Sequence, residues 1–385
     1  MRNKIIYFTT AQDLNSFANQ LHNWSISPNL SNQNFHNKLI RSISLSHQVD
    51  VVSVRPINKN YSLKKLEQNI VKEENINWNY VKVNRSRIDK ALHYRKYVNN
   101  SIPQDVANAV VMVDVLNTRL LKEAIFFAKK NKLPIVGICT DSPYNISYTK
   151  ESYAKKNVKL ANQLDGYVVL TKPINNLYNT HVKPFIVIDG VSEENKSANS
   201  SPIEGKYIYF GGSLMTKYGI YNLIDAYKEL DLKDIKLVIC GHHVNKEQLD
   251  NAIRDNENII YLGALDYQKN LDLEKHAYLA VNPRPKMPEV DEYSFPSKTL
   301  EFLANGILNI AVNNEYLKEN YGDSIIFANS GKPCCLKKAI IDALSLSDEE
   351  RKKRIEIGKK IAMQRTSLDS INKQIDELVS KLFLN

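Results

Sequence analysis

Short apolar runs alternate with amphipathic helical patterns along most of the chain, and this alternation constrains the fold more than any other feature. Residues 109–113 and 237–240 are continuously apolar, which is typical of strands buried on both faces of a parallel sheet. A helical pattern over 118–130 separates the strand-like run 109–114 from the run 134–141, so strand, helix and strand follow one another. The pattern predicts an α/β protein with parallel sheets.

The alternation stops once and then restarts. Residues 191–205 are polar, rich in Ser, Asn and Glu, and have no apolar period. Domain boundaries fall in such stretches, and 385 residues exceed one typical core. We therefore predict two Rossmann-like, doubly wound domains facing a cleft, residues 1–192 and 193–363. A polar helical pattern at the end predicts a C-terminal helix, 364–385, that packs back on the N-terminal domain.

Charge and cysteine content limit the classes of partner. The net charge of +10 favours an anionic partner such as a nucleotide, a phosphorylated substrate or an anionic lipid. No nucleic-acid-binding motif is present, so we expect no nucleic acid partner. The four cysteines form no CxxC pair, and a reducing compartment suits them. With no signal peptide and no run of about 20 apolar residues, the sequence predicts a cytoplasmic protein, at most peripheral on the inner face of the cell membrane.

The stretch 293–306 reads as a short helix with a site for an anion. Pro296 suits a helix start, and a glycine stands where the helix would end. Ser297 and Lys298 would lie at the first turn, where free N–H groups favour a phosphate. One turn on, the carboxylate of Glu301 could accept hydrogen bonds from sugar hydroxyls. The alternative is an ordinary amphipathic helix with a proline start.

Two other segments of this half predict phosphate contacts. Residues 211–219 form a glycine-rich turn between a strand and a helix, although the turn is neither a Walker A loop nor GxGxxG. It would be either a backbone cradle for a diphosphate or carboxylate, or a tight turn only. Arg284 follows a strand and has proline on both sides. Its guanidinium is suited to bidentate phosphate binding, and the alternative is a surface arginine in a stiff loop.

The N-terminal half offers weaker candidates. Asp141 follows a strand at its carboxyl end, where ligands gather in parallel α/β sheets; it could equally cap the following turn. A basic helix with interleaved aromatics, 85–97, includes Arg87 and Arg95. It would contact anionic lipid or a phosphorylated acceptor, or would simply be a solvated helix face. The polar stretch 10–34, which includes Asn32, is long for a connection, so we expect it to be functional or mobile.

Metal binding is disfavoured. His242 and His243 are adjacent, but they lack Cys or His partners at metal-ligand spacing. We therefore expect no metal and no cofactor.

Residues 32–34 and His36 are expected to line the floor of the cleft.

The glycine turn, the arginine loop and the phosphate-type helix follow one another within one α/β half. Over residues 206–312 this order resembles the nucleotide-sugar domain of a GT-B glycosyltransferase, most closely the retaining glycosyltransferase family 4 group. The similar stretches are the first strand-turn-helix, the second strand and turn, the nucleobase-side strand and the signature helix, at 210–219, 239–241, 261–265 and 295–306. The N-terminal half is similar mainly in architecture.

The resemblance implies that the signature helix binds the diphosphate and that Glu301 holds the ribose hydroxyls. The residues it implies for donor binding are Gly212, Ser213, Lys217, Gly241, Leu265, Arg284, Tyr293, Ser297, Lys298 and Glu301. The residues that we assign to catalysis are Asp141, Arg284 and Lys298. Those expected to contact the acceptor are Asn32, Arg87 and Arg95.

Three positions depart from the family pattern. Ser213 and Tyr218 stand where the family usually has an arginine and a lysine for phosphate, and Tyr293 stands where it often has a second glutamate. We expect Arg284 and Lys298 to supply the missing positive charge. The carboxylate that would face the transferred sugar stays unassigned.

The sequence thus predicts a hexosyltransferase-type enzyme that moves a sugar from a nucleotide donor, preferably a UDP-sugar. The resemblance implies retention and a lipid-linked or polymeric glycan acceptor in bacterial capsule or exopolysaccharide synthesis. Two alternatives stay open at this point: a non-catalytic partner that keeps the GT-B fold, and a protein O-glycosyltransferase.

Overall fold

A computed structural model describes residues 4–23, 29–55, 70–82, 87–146, 149–195, 200–242, 245–265 and 267–383. The chain forms two compact units. The first comprises Met1–Val191, Glu292–Phe295 and Thr366–Asn385, and the second comprises Ser192–Asp291 and Pro296–Arg365.

The first unit is built on a largely parallel sheet. Its strands are β1 Lys4–Thr9, β2 Gln48–Ser53, β3 Ile70–Lys72, β4 Ile76–Tyr80, β5 Ala109–Asp114, β6 Ile135–Cys139, β7 Gly166–Val169 and β8 Phe185–Val187. Their order is β3-β4-β2-β1-β5-β6-β7-β8, and only β3 pairs antiparallel. The continuous apolar run predicted to be a buried strand is β5, and every residue of β5 is buried.

Helices cover both faces of this sheet. They are α1 Leu14–Asn23, α2 Leu30–Ile43, α3 Arg87–Asn99, α4 Thr118–Asn131, α5 Glu151–Ala161 and α6 Lys172–Tyr178. Local side chains fix where several begin: Asn29 caps α2 by accepting a hydrogen bond from the backbone N–H of Asn32, and Asn117 caps α4 in the same way. The polar stretch 10–34 therefore contains α1 and the start of α2, rather than a long loop.

The two faces have separate cores. Ile6 and Phe8 of β1 pack with α3 and α4 residues on one face, whereas Ile5 and Tyr7 pack with α2 residues on the other. This division follows from the alternation of side chains along a strand. It places α2 and α3 on opposite faces of the sheet.

The second unit is also α/β, and its sheet is entirely parallel. The strands are β9 Lys206–Gly211, β10 Ile235–Cys240, β11 Ile259–Tyr261, β12 Leu279–Asn282, β13 Asn309–Val312 and β14 Ile325–Ala328. They are arranged in the order β11-β10-β9-β12-β13-β14. The helices are α7 Ile220–Lys228, α8 Lys246–Ile253, α9 Tyr267–Lys275, α10 Pro288–Asp291, α11 Ser297–Ala304, α12 Glu315–Tyr321, α13 Pro333–Leu344 and α14 Asp348–Thr366.

A last helix, α15 Leu368–Leu382, packs on the first unit. Its residues Ile371, Ile375 and Leu378 are fully buried in the core that contains α2. The Ser42 hydroxyl donates to the Leu368 carbonyl at 2.6 Å.

Within the described part of the chain, no helix combines the length and apolarity needed to cross a bilayer. The prediction of two Rossmann-like α/β units is confirmed.

Candidate functional site

The second sheet has a topological switch point between β9 and β12. From β9 the strand order runs one way to β10 and β11, and the other way to β12, β13 and β14. Ligands of open α/β sheets bind outside the carboxyl ends of the strands at such a point. The segments that follow β9 and β12 are the glycine turn and the arginine loop, which the sequence had singled out separately.

The glycine turn and the arginine loop touch each other at Gly219. This residue has φ +82° and begins α7. A Cβ at this position would lie 2.3 Å from the carbonyl oxygen of Pro283, so only glycine allows so close an approach. Ser213 and Lys217 of the same turn are exposed, and the Lys217 ammonium lies 5.1 Å from the ring centre of Tyr218.

The turn after β10 packs against the turn after β9. Gly241 has φ +139°, and a Cβ there would lie 1.8 Å from the Gly212 carbonyl oxygen. The Gly241 N–H donates to the Gly263 carbonyl at 2.8 Å. Leu265, which follows β11, packs against the cluster containing Tyr209 and Phe302. Gly212, Gly241 and Leu265 thus follow three neighbouring strands, β9, β10 and β11, at one edge of the sheet.

Arg284 is paired within its own loop. Its Nη2 donates to Asp291 Oδ1 at 2.8 Å, and Asp291 Oδ2 accepts from the Met287 N–H at 2.8 Å. The Arg284 side chain is 18% exposed, and its Nε is buried with no hydrogen bond to any described residue. An anion that binds Arg284 must therefore share the guanidinium with Asp291 or replace that carboxylate.

Helix α11 has its N-terminus at the same edge. It begins directly after Pro296, with no side-chain cap. The Asn282 amide donates to the Thr299 hydroxyl at 3.2 Å, which ties the first turn of the helix to the end of β12. Ser297 is exposed there. The first-turn N–H groups and the positive end of the helix dipole thus lie at the switch-point edge.

Lys298 is held by two carboxylates. Its Nζ lies 2.7 Å from Glu301 Oε2 and 4.0 Å from Glu274 Oε2. Burial alone lowers the pKa of Lys298, but Glu301 and Glu274 outweigh that effect and the net pKa is raised. The ammonium therefore stays charged and is neutralised internally. The sequence predicts that Lys298 supplies positive charge to a phosphate. In the structure its ammonium is instead paired with the carboxylates of Glu301 and Glu274.

Glu274, at the end of α9, is a residue that the sequence did not reveal. It is fully buried, and its Oε1 accepts from the Asn305 amide at 2.8 Å. No motif marks it, because its partners on α11 are distant in sequence.

Tyr293, which was predicted to bind the donor, lies with the first unit. Its ring packs against the core cluster that contains α3 and α4 residues. The neighbouring Glu292 carbonyl accepts from the Thr171 hydroxyl at 2.9 Å. Of the donor residues predicted from sequence, Tyr293 is the one that falls outside the second unit.

The first unit has its own switch point, between β1 and β5, and Asn32 lies at it. The Asn32 amide donates to Asp114 Oδ2 at 3.1 Å, and its Oδ1 accepts from the Thr10 hydroxyl at 3.4 Å. Below this pair His36 is completely buried, with Nε2 3.4 Å from Asp114 Oδ2 and Nδ1 2.6 Å from the Tyr7 hydroxyl. A chain of polar groups thus runs from the core to the sheet edge.

The other predicted site residues of the first unit that the structure describes form hydrogen bonds or ion pairs with nearby side chains and backbone groups. Asp141 Oδ1 accepts from the Ser142 N–H at 2.7 Å and from the Asn145 amide at 3.3 Å, so it caps the following turn. Arg95 pairs with Glu123 at 2.6 Å and stacks on the Phe126 ring. Arg95 is on α3 and Asn32 is on α2, so the structure does not bring these predicted acceptor residues together on one face. The side chain of Arg87, residues 85 and 86 of the basic helix, and His243 all lie outside the described part of the chain. Within that part, no cluster of three or more His, Cys, Asp or Glu side chains could hold a metal ion.

Comparison with known proteins agrees with this geometry. The family model "Glycosyl transferases group 1" matches residues 191–361, which contain the glycine turn, the arginine loop and α11. No curated protein sequence matches the chain.

Solved structures show the same fold over the whole chain. Sucrose-phosphate synthase from Thermosynechococcus elongatus has a TM-score of 0.72 at 11% identity and covers 100% of both chains. A glycosyltransferase from Rickettsia africae has a TM-score of 0.68 at 13% identity, covering 100% of this chain and 99% of its own. HepE from Anabaena, in complex with UDP and glucose, has a TM-score of 0.65 at 14% identity, covering 97% and 99%. The chain thus has the fold of the GT-B glycosyltransferases, and its residues 191–361 match the model of glycosyl transferases group 1.

Proposed function

We propose that the second unit binds a nucleotide-sugar donor, a UDP-sugar, at its switch point. One observation carries the proposal: the glycine turn, the Arg284 loop and the N-terminus of α11 meet at one edge of the sheet. Each of these segments favours an anion, and together they suit a diphosphate. The choice of UDP is supported by the similar structures of Anabaena HepE, solved with UDP and glucose, and of the Escherichia coli trehalose-6-phosphate protein, solved with UDP-2-fluoro glucose.

The residues would divide the work between charge and orientation. Arg284 and the N–H groups of α11 stabilise the diphosphate as it leaves, while Glu301 accepts hydrogen bonds from the ribose. Ser213 and Lys217 are exposed on the glycine turn and can reach a ligand at its rim. In the transfer, the bond between the anomeric carbon and the diphosphate oxygen breaks and the acceptor oxygen takes its place. The acceptor proton passes to the departing diphosphate, as the resemblance to retaining enzymes implies.

The acceptor proposed is a lipid-linked or polymeric glycan of the bacterial cell surface, handled at the inner face of the membrane. Two features of the molecule support an anionic surface as a partner. The net charge is +10, and α3 exposes Ile88 and Leu92, which are 74% and 72% accessible, on one helical face. Transfer of labelled sugar to a polyprenyl-linked oligosaccharide, with the anomeric configuration read by NMR, tests the acceptor and retention together. Transfer to a Ser-rich peptide alone would contradict this acceptor.

Thermal unfolding with a panel of sugar nucleotides tests the donor. A ligand that binds the folded state raises the melting temperature according to its concentration relative to Kd. We expect UDP and UDP-sugars to raise it, with smaller effects from GDP- and dTDP-sugars. Arg284→Ala should reduce the shift, whereas Lys337→Ala, which removes an exposed ion pair with Glu229, should not. Absence of a shift with every UDP compound would refute the proposed donor.

A further inference from the structure

A buried carboxylate lies behind the Lys298–Glu301 pair. Glu274 is fully buried, whereas the side chains of Lys298 and Glu301 are 35% and 19% exposed. Asn305, the residue after α11, fixes Glu274 Oε1 through its amide at 2.8 Å. Glu274 is thus the interior member of this charged cluster, and Lys298 and Glu301 lie nearer the surface.

The distances show how the ammonium is shared. It donates a hydrogen bond to Glu301 Oε2 at 2.7 Å and lies 4.0 Å from Glu274 Oε2. Two carboxylates therefore share one ammonium. A buried charge is costly to leave unpaired, so the carboxylate of Glu274 keeps the Lys298 ammonium close to it. The flexible lysine side chain therefore becomes a fixed hydrogen-bond donor to Glu301. A carboxylate with one fixed charge-assisted hydrogen bond is restricted in turn.

We propose that Glu274 is a positioning residue for the donor ribose: it anchors Lys298, and Lys298 fixes the carboxylate of Glu301 in the orientation that accepts hydrogen bonds from ribose hydroxyls. The inference rests on the proposed donor site. It adds a residue on α9 to that site and gives Lys298 the role of internal support, not of diphosphate ligand. Without Glu274 the ammonium gains freedom to leave Glu301, and the carboxylate loses its orientation.

Calorimetry with UDP and 2′-deoxy-UDP tests this role. A hydrogen bond from a hydroxyl to a carboxylate contributes about 1.5–3 kcal/mol, so the intact protein should bind 2′-deoxy-UDP roughly 10- to 100-fold more weakly than UDP. In Glu274→Gln this ratio should fall to about threefold or less, with affinity for 2′-deoxy-UDP nearly unchanged. A merely structural role would weaken both ligands by the same factor and leave the ratio as it was. That outcome would overturn the inference.

Two further variants complete the experiment. Glu229→Gln, at the residue after α7, removes the carboxylate of an exposed ion pair with Lys337 of α13 and should keep the full ratio. If Glu274→Gln does not fold, Lys298→Gln serves as the test variant. Loss of the ammonium should also bring the ratio of UDP to 2′-deoxy-UDP affinity to about threefold or less. An unchanged ratio in Lys298→Gln would overturn the inference too. Failure of the intact protein to bind either nucleotide would refute the proposed donor site itself.

Discussion

At the scale of single residues, polar groups at both switch points are held by other side chains. Arg284 is paired with Asp291, and Lys298 with Glu301. The sequence places these cations on their elements, and the i,i+3 spacing of Lys298 and Glu301 makes their contact predictable. It does not predict Glu274, whose partner Asn305 is 31 positions away. Contacts of that kind depend on how α9 and α11 pack, which no local pattern encodes.

The buried imidazole of His36 should make the first unit sensitive to acid. Burial lowers the pKa of His36 below its ordinary 6.5, against a smaller opposing effect of Asp114. Below pH 6.5 the unfolded chain therefore binds a proton that the folded chain does not, so the free energy of unfolding falls as pH falls, by at most about 1.4 kcal/mol per pH unit. Both tryptophans precede residue 191 in the sequence, and Trp78 is fully buried in the first unit, so urea unfolding followed by tryptophan fluorescence reports on that unit.

Replacing His36 should remove that slope. His36→Gln should unfold at lower urea concentration at neutral pH, yet its stability should change less between pH 7 and pH 5.5 than that of the unaltered protein. His93→Gln, at a half-exposed position on α3, is the matched control and should keep the slope. Equal pH dependence in the His36 variant and the unaltered protein would contradict the proposed origin of the acid sensitivity.

At the scale of elements, continuous apolar runs located the strands correctly, whereas the secondary structure of a polar segment was not predicted. The predicted strand at 109–114 matches β5, and the predicted strand-like run 134–141 contains β6. The stretch 10–34 was interpreted as a long connection, functional or mobile, yet it contains α1 and the start of α2. Its apolar residues Leu14, Phe17, Ala18 and Leu21 have the i, i+3, i+4, i+7 spacing of an amphipathic helix, so the sequence carried a helical signal that the prediction missed.

Contact between the glycine turn and the arginine loop depends on the missing side chain of Gly219. Gly219→Ala should lower the free energy of unfolding by about 1–2 kcal/mol because of the positive φ at this position. The overlap of the new Cβ with the Pro283 carbonyl should raise the total loss to roughly 3 kcal/mol or more. Gly205→Ala isolates the first effect, because Gly205 has φ +83° and nothing within 4 Å of its added Cβ. Urea unfolding followed by circular dichroism measures both.

The same pair of variants tests the coupling of the two loops. Gly219→Ala should weaken UDP binding, because the overlap displaces the loop that holds Arg284, whereas Gly205→Ala should bind UDP normally. If both alanine variants lost the same stability and kept full UDP affinity, the contact at Gly219 would not hold the site together.

At the scale of the whole molecule, the chain divides unevenly along its length. Residues 366–385 and the short segment 292–295 belong to the first unit, although most of the preceding sequence forms the second. The family pattern treats 293–301 as one motif, and the structure divides it, with Tyr293 in the first unit and Glu301 in the second. Sequence spacing alone could not predict this division, because it records distance along the chain and not which core a side chain enters.

The positive charge of the molecule and the exposed apolar pair of α3 lead to a test of membrane binding. The protein should sediment with vesicles rich in phosphatidylglycerol and less with neutral phosphatidylcholine vesicles, and binding to the anionic vesicles should fall as salt rises. Replacing Ile88 and Leu92 with Gln should reduce binding roughly tenfold or more, because each apolar side chain contributes about 1.5–3 kcal/mol on full burial. Leu45→Gln, which alters a 46% exposed leucine in the same unit, should bind as before. Undiminished binding of the double variant would show that α3 is not the contact surface, and equal binding to neutral vesicles would show that the positive charge does not contribute.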